Sequence, residues 1–190
     1  MLKYTFYVVM NVASMIANMV PKRKTLWIFS AWNGKQFSDN SKYLYLYVKQ
    51  NRSEIEAVWC AKTKQAYRNL VALEIPCFYA YSLKGMVYQM RAGVVLFTHS
   101  VDWDLCSFFI GKKTRRIQLW HGIPLKMIGQ DDNLNRTSKL TEIVMKVFMN
   151  FRAQKFDFII AAGEEDKKIY QTAFNIGPEK VRVTGLPRND

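Results

Sequence analysis

Short apolar runs alternate along this chain with longer stretches in which apolar side chains recur every three or four positions. The first kind reads as a buried strand and the second as a helix with one apolar face. Thr25 to Trp32 is such a run, followed by the turn residues Asn33-Gly34-Lys35 and a helix-start signal at Ser38-Asp39-Asn40. A helix is then predicted from about Ser41 to Gln50, with Leu44, Tyr47 and Val48 on a shared face. A strand from Ile55 to Ala61, a helix from Lys64 to Leu73, a short strand from Phe78 to Tyr81, a helix from Leu83 to Arg91 and a β-prone strand from Gly93 to Thr98 come next. Residues 101 to 114 read as irregular and aromatic, and Ile117 to Trp120 as a strand. A polar stretch from Gln130 to Ser138 leads to a helix at about Leu140 to Gln154. The strand Phe156 to Ala162, the helix Glu164 to Phe174 with acids in its first turn, and the strand Val181 to Thr184 close the series. Continuous alternation of this kind predicts an α/β class with a mainly parallel sheet and right-handed crossovers.

The first twenty residues stand apart. Tyr4 to Val20 holds no charge, while Lys3 and then Lys22, Arg23 and Lys24 flank it. Its length is near the lower limit for a membrane-spanning helix, but Tyr4, Tyr7, Asn11, Ser14 and Asn18 recur at spacings of three and four and make a polar stripe. A helix lying in the membrane interface fits that stripe better than one crossing lipid or one packed in the ordinary way. A secretory signal fits poorly, because the apolar run is long, no small-residue cleavage site precedes Pro21, and a basic cluster follows at once. Near an anionic leaflet the cluster adds about 1 kcal/mol per basic residue. It favours the cytoplasmic face of the cell membrane, as a peripheral or monotopic attachment.

At 190 residues, 49% of them hydrophobic, the chain is long enough for one substantial core, here assigned to residues 21–190, with residues 1–20 as an appendage. A net charge of +13 favours anionic partners without choosing among phosphorylated substrates, acidic lipid and nucleic acid. Nucleic acid is the weakest of the three, since no reader motif or concentrated basic face is present. The three cysteines, Cys60, Cys77 and Cys106, are well separated and odd in number, which argues against a disulfide framework and a C-x-x-C zinc site. Neither His99 nor His121 sits in a ligand spacing, so no metal and no cofactor is expected. Lys112, Lys113, Arg115 and Arg116 read most simply as a solvated loop, with a membrane-facing role as the sharper alternative.

Arg115 to Lys126 carries the most chemistry. A strand there stops at His121, turns on Gly122 and is expected to enter a helix at Pro124 and Lys126. Strand carboxyl ends face the ligand crevice of an open parallel sheet, which places His121 at the mouth of a site, with backbone at Gly122 able to come close to a phosphate. His121 can take a proton near neutral pH. His99 follows another strand but nothing else marks it, and it is read as structural. Asp39 and Asn40 are first of all helix caps.

Three ordered blocks resemble one family. Gly34-Lys35 with Ser38-Asp39-Asn40-Ser41-Lys42-Tyr43-Leu44-Tyr45 resembles a G-K-x-x-x-D-N segment. Gln118-Leu119-Trp120-His121-Gly122-Ile123-Pro124-Leu125-Lys126 with Gly129 resembles a W-H-G-T-P-L-K-x-x-G signature, and Thr184-Gly185-Leu186-Pro187-Arg188-Asn189-Asp190 resembles a T-G-x-P-R-N-D element. Together, over residues 25 to 190, they resemble the CDP-glycerol glycerophosphotransferases, the teichoic acid primases and polymerases of Gram-positive bacteria. The resemblance implies a Rossmann-like domain similar to the amino-terminal, acceptor-side half of a GT-B transferase, with the donor-binding domain outside this chain. It implies transfer of glycerol phosphate from CDP-glycerol to a lipid-linked polyol-phosphate acceptor of the cell wall or capsule, with release of CMP. His121 would be the general base, Lys126 and Arg188 would stabilise phosphate charge, and Gly122, Asp39 and Asn40 would line the site. Ile123 departs from the family's usual threonine; this removes a hydroxyl near the site or marks a subfamily with another acceptor or polyol. The competing expectation is a shortened, non-catalytic paralogue that binds lipid-linked polymer or a partner enzyme.

Overall fold

The computed structural model describes residues 2–124, 126–129 and 156–189. Helix α1 (Leu2–Met19) precedes β1 (Arg23–Phe29), α2 (Asp39–Asn51), β2 (Glu56–Ala61), α3 (Lys64–Ala72), β3 (Cys77–Tyr79), α4 (Leu83–Arg91) and β4 (Ala92–Phe97). A short helix α5 (Val101–Asp104), β5 (Arg115–Gln118), β6 (Phe158–Ala161), α6 (Glu164–Phe174) and β7 (Val181–Val183) follow. The strands of the described residues form one seven-stranded sheet in the order β3-β2-β1-β4-β5-β6-β7. Every neighbouring pair is parallel. This is the expected α/β architecture with flanking helices. The helix predicted at Leu140 to Gln154 lies outside the described residues.

The sheet is buried on both faces, which is why its strands read as near-continuous apolar runs. Alternate residues feed two cores: Leu26, Ile28, Val58, Cys60, Val95 and Phe97 enter one, and Phe29, Ala57, Trp59 and Leu96 the other. Tyr88 of α4 and Tyr170 of α6 close the first. Tyr45 and Val48 of α2 with Ala66 and Leu70 of α3 close the second. There the Trp59 ring meets Phe37 edge-on at 4.7 Å and Tyr45 at 5.8 Å. Thr63 and Ser82 cap α3 and α4 by accepting from the Ala66 and Gly85 amides.

Three expectations change. The segment 101–114 is not irregular throughout: it holds α5, capped by the Ser100 hydroxyl, and a 3-10 turn at Ser107–Phe109. Arg116 does not belong to a solvated loop. It lies in β5, is buried, and its guanidinium donates to the carbonyls of Ile110 at 3.2 Å and Gly111 at 3.1 Å, which replace its hydration. No helix begins at Pro124 among the described residues, because Trp120 (φ +54°) and Gly122 (φ +148°) turn the chain away from helical continuation.

Helix α1 joins the body through its last turn. Ala17 is fully buried, Asn18 Oδ1 accepts from the Lys112 amide at 2.7 Å, and Lys22 Nζ donates to the Ala17 carbonyl at 2.7 Å and to that of Met90. Val9, Val12, Met15, Ile16 and Met19 are between 48% and 84% exposed. Among the described residues no helix is long and apolar enough to cross a membrane.

Candidate active site at the carboxyl edge of the sheet

Because all strands run the same way, their carboxyl ends share one edge. The strand order departs in opposite directions from β1, so the loops after β1 and β4 diverge, which is where open α/β sheets bind ligands. Residues 30–33 follow β1, 98–100 follow β4, 119–122 follow β5 and 184–188 follow β7, and α2 opens on Asp39 at this edge. Backbone strain concentrates here: Trp32 (φ +49°), Asn33 (φ +61°), Asp39 (φ +61°) and Trp120 (φ +54°) occupy the left-handed region. Asparagine and aspartate tolerate that conformation, whereas tryptophan does so only when its surroundings over-determine it.

Asp104, fully buried, supplies one source of that constraint. Its Oδ1 accepts from the Asn33 amide at 2.7 Å, and its Oδ2 from the amides of Thr98 at 2.7 Å and His99 at 2.9 Å and from the Thr98 hydroxyl at 3.2 Å. One carboxylate thus joins the loops after β1 and β4. Gln118 of β5 locks the same corner by donating to the carbonyls of Thr98 and His99. Gly34 (φ +66°) must be glycine, since a Cβ there would come 2.6 Å from Lys62 Cγ.

Asn40 and Arg188 make the second junction. The Asn40 amide donates to the carbonyls of Leu119 at 3.0 Å and Trp120 at 3.1 Å, and its oxygen accepts from the Arg188 amide at 3.3 Å. Arg188 Nη1 donates to Asp39 Oδ1 at 3.2 Å and to the His121 carbonyl at 3.3 Å. Asp39 Oδ2 accepts from the Trp32 indole at 3.0 Å. A Cβ on Gly122 would stand 3.3 Å from Arg188 Nη2, so glycine leaves room for the guanidinium. Asp39 and Asn40 therefore act across the fold rather than as the helix caps expected; Ser38 holds the cap position, without a side-chain cap bond.

His121 lies among aromatic rings. It stacks on Trp120 at 4.5 Å and on His99 at 4.4 Å, with Trp32 tilted against it at 5.8 Å. Burial holds its imidazole below the usual histidine range, and His99 and Arg188 push the same way against the opposing pull of Asp39 and Asp104. Burial thus favours the neutral imidazole, the form that can accept a proton. The exposed Arg188 beside it offers a planar cationic fork for an anionic group. Among the described residues no group of three or more His, Cys, Asp or Glu could hold a metal ion.

Of the residues singled out in the sequence, Asp39, Asn40, His121, Gly122 and Arg188 converge. Lys126 does not join them: it is exposed, in the loop after the site, with no hydrogen bond or ion pair to these residues among the described ones. Trp32, Trp103 and Asp104 are neighbours that pattern reading missed, and His99, read there as structural, stacks on His121. The pairing of β4 with β5 sets His99 beside His121, and that adjacency is not written in local sequence.

The chain's relatives bear on this arrangement. The family model described as CDP-Glycerol:Poly(glycerophosphate) glycerophosphotransferase matches residues 12–190. The chain is 28% identical to a teichoic acid glycerol-phosphate transferase of Staphylococcus aureus (strain NCTC 8325 / PS 47), over 100% of this chain and 46% of that protein. It is 30% identical to a teichoic acid poly(glycerol phosphate) polymerase of Bacillus subtilis (strain 168), over 93% of this chain and 23% of that one. Among solved structures, the wall teichoic acid polymerase TagF superposes with a TM-score of 0.72 at 20% identity, covering 99% of this chain and 46% of TagF. A TagF variant soaked with CDPG gives 0.70 at 18% identity, over 99% and 47%. These superpositions show a shared fold. The chain spans about half the length of the first of these relatives.

Proposed function

The chain belongs to the CDP-glycerol:poly(glycerophosphate) glycerophosphotransferase family, and from that premise we propose that it is the acceptor-side half of a membrane-associated transferase. The reaction moves glycerol phosphate from CDP-glycerol to a lipid-linked teichoic-acid or capsule-type acceptor and releases CMP. The observation that carries this reading is the half-buried His121 imidazole, held by burial below the usual histidine range and set beside the Arg188 guanidinium at the carboxyl edge of the sheet.

The acceptor hydroxyl gives its proton to His121 as its oxygen forms a bond to the phosphorus that bears glycerol. The bond from that phosphorus to the oxygen bridging it to CMP breaks, and the electron pair leaves on the CMP phosphate. A base so placed contributes about two to four orders of magnitude in rate. Arg188, held on one edge by Asp39 and the His121 carbonyl, faces the phosphate with its remaining donors and stabilises charge as it develops. Gly122 lets the guanidinium approach. The donor nucleotide is held mainly by a second domain. The exposed apolar arc of α1, with Lys24 beside it, attaches the domain to the cytoplasmic face of an anionic membrane.

The test is CMP release from CDP-glycerol with a lipid-linked acceptor, measured for this chain alone and fused to the carboxyl-terminal half of the Staphylococcus aureus relative. Turnover is expected in the fusion and not in the chain alone. His121→Ala in the fusion should lower it by at least about a hundredfold with the fold preserved by circular dichroism. Undiminished turnover in that variant would remove the base assignment, and robust turnover by the chain alone would remove the division between halves.

A further inference from the structure

His121 is held by ring contacts, and its imidazole makes no hydrogen bond to described protein atoms. His99, stacked on it at 4.4 Å with 27° between ring planes, is differently held. Its Nδ1 lies 3.0 Å from Thr98 Oγ1 and 3.8 Å from Asp104 Oδ1. The Thr98 hydroxyl donates to Asp104 Oδ2 at 3.2 Å and accepts from the Trp32 amide at 3.3 Å. With its hydrogen directed at the carboxylate, the Thr98 oxygen can only accept from His99. In that arrangement, which the stronger carboxylate acceptor favours, Nδ1 carries the hydrogen, and Nε2 has no protein partner among the described residues.

A second proton arriving on Nε2 makes His99 an imidazolium whose charge lies against the buried Asp104 carboxylate. The same proton on His121 would lie further from that carboxylate and beside Arg188. Stacked imidazoles this close do not both ionise freely, because the second charge is repelled by the first. The Trp103 ring, 6.1 Å away and 23° from coplanar with His99, and the Trp32 ring, edge-on at 4.8 Å, offer electron-rich aromatic surroundings for a cation on His99.

We propose that His99 is a positioning residue for His121: anchored through Thr98 to Asp104, it carries the positive charge when the stacked pair holds one, and so keeps His121 neutral and ready to accept a proton. The value of that for catalysis rests on the base assignment made above; the charge distribution itself does not. The groups facing the pair are Asp104 from α5, Asp39 from the start of α2, Arg188 after β7 and, beside Asp104, Lys62 at the end of β2. The lowering of His121 by His99 accords with this arrangement. Proton transfer between the two rings is not part of it, since stacked faces present no lone pair to each other.

The experiment follows both imidazoles of the whole chain by long-range proton–nitrogen NMR between about pH 5 and 8, the span over which histidines titrate. His99 should show the Nδ1–H tautomer when neutral and take up the first proton of the pair, with His121 protonating only at lower pH. In His99→Phe, which keeps an aromatic ring in the stack and removes the charge, the His121 midpoint should rise by about one pH unit. Protonation of His121 before His99, or an unmoved His121 midpoint in His99→Phe, would overturn the proposal. The wild-type order of protonation decides it even if the variant fails to fold. Because the readout needs no substrate, it is separate from the test of His121 as base: absent turnover with the expected titration counts against the transferase reading alone.

Discussion

Asn40 occupies the first turn of a helix, where asparagine ordinarily satisfies its own backbone. Here its fully buried amide reaches across the fold to the carbonyls of Leu119 and Trp120 and to the Arg188 amide, tying α2, the loop that carries His121 and the segment after β7. Truncating it leaves those groups buried without partners. Asn40→Ala is therefore expected to lower stability by about 1–3 kcal/mol, measured by chemical denaturation. A loss indistinguishable from zero would mean that water or a shifted backbone replaces the amide at no cost. The D-N and W-H-G motifs mark these residues in the sequence, but as separate blocks. That Asn40 holds the backbone on which His121 stands depends on two carbonyls far along the chain. Lys126 shows the converse: it belongs to the same motif as His121 and Gly122, yet it projects into an exposed loop because the chain turns at Trp120 and Gly122 instead of entering a helix.

Elements were more legible than their edges. The acids of its first turn and its apolar spacing mark α6, whose bounds, Glu164–Phe174, match expectation. Strand β5 was placed too late: it runs Arg115–Gln118, paired with Val94–Phe97, and Trp120 at positive φ lies outside it. Pairing partners and backbone twist decide such edges, and neither is local. In α1, Val9, Val12, Met15, Ile16 and Met19 form one exposed apolar arc, while Asn18 and Ala17 meet the body of the protein. An arc of this kind with the exposed Lys24 beside it should draw the chain to anionic vesicles, chiefly through its apolar side chains, since Lys22 donates to backbone carbonyls and Arg23 pairs with Glu56 at 2.6 Å. Removing residues 1–20 should abolish flotation with phosphatidylserine liposomes while leaving thermal unfolding cooperative. Equal flotation of the shortened chain would assign the helix to packing alone.

At the scale of the whole molecule, the lowered His121 makes stability depend on pH with a definite sign. The unfolded chain binds a proton on this ring at a higher pH than the folded chain does, so stability rises with pH across that interval. The contribution is complete above the ordinary imidazole range and is lost as pH falls through the lowered folded value. Denaturation at about pH 7 and about pH 5 should show the wild type weakening on acidification, and His121→Gln should weaken less. An equal decline in both would place the acid sensitivity elsewhere. The amino-acid sequence by itself determined the alternation of strands and helices, the burial of the sheet on both faces and the residue types that mark the family, because apolar periodicity and motif spacing are properties of neighbouring residues. Only the tertiary structure decided that His99 and Asp104 belong with His121, and that Asp39, Asn40 and Arg188 meet at one edge. Parallel pairing of β1, β4 and β5 sets strand ends side by side whose separation along the chain carries no trace of that contact.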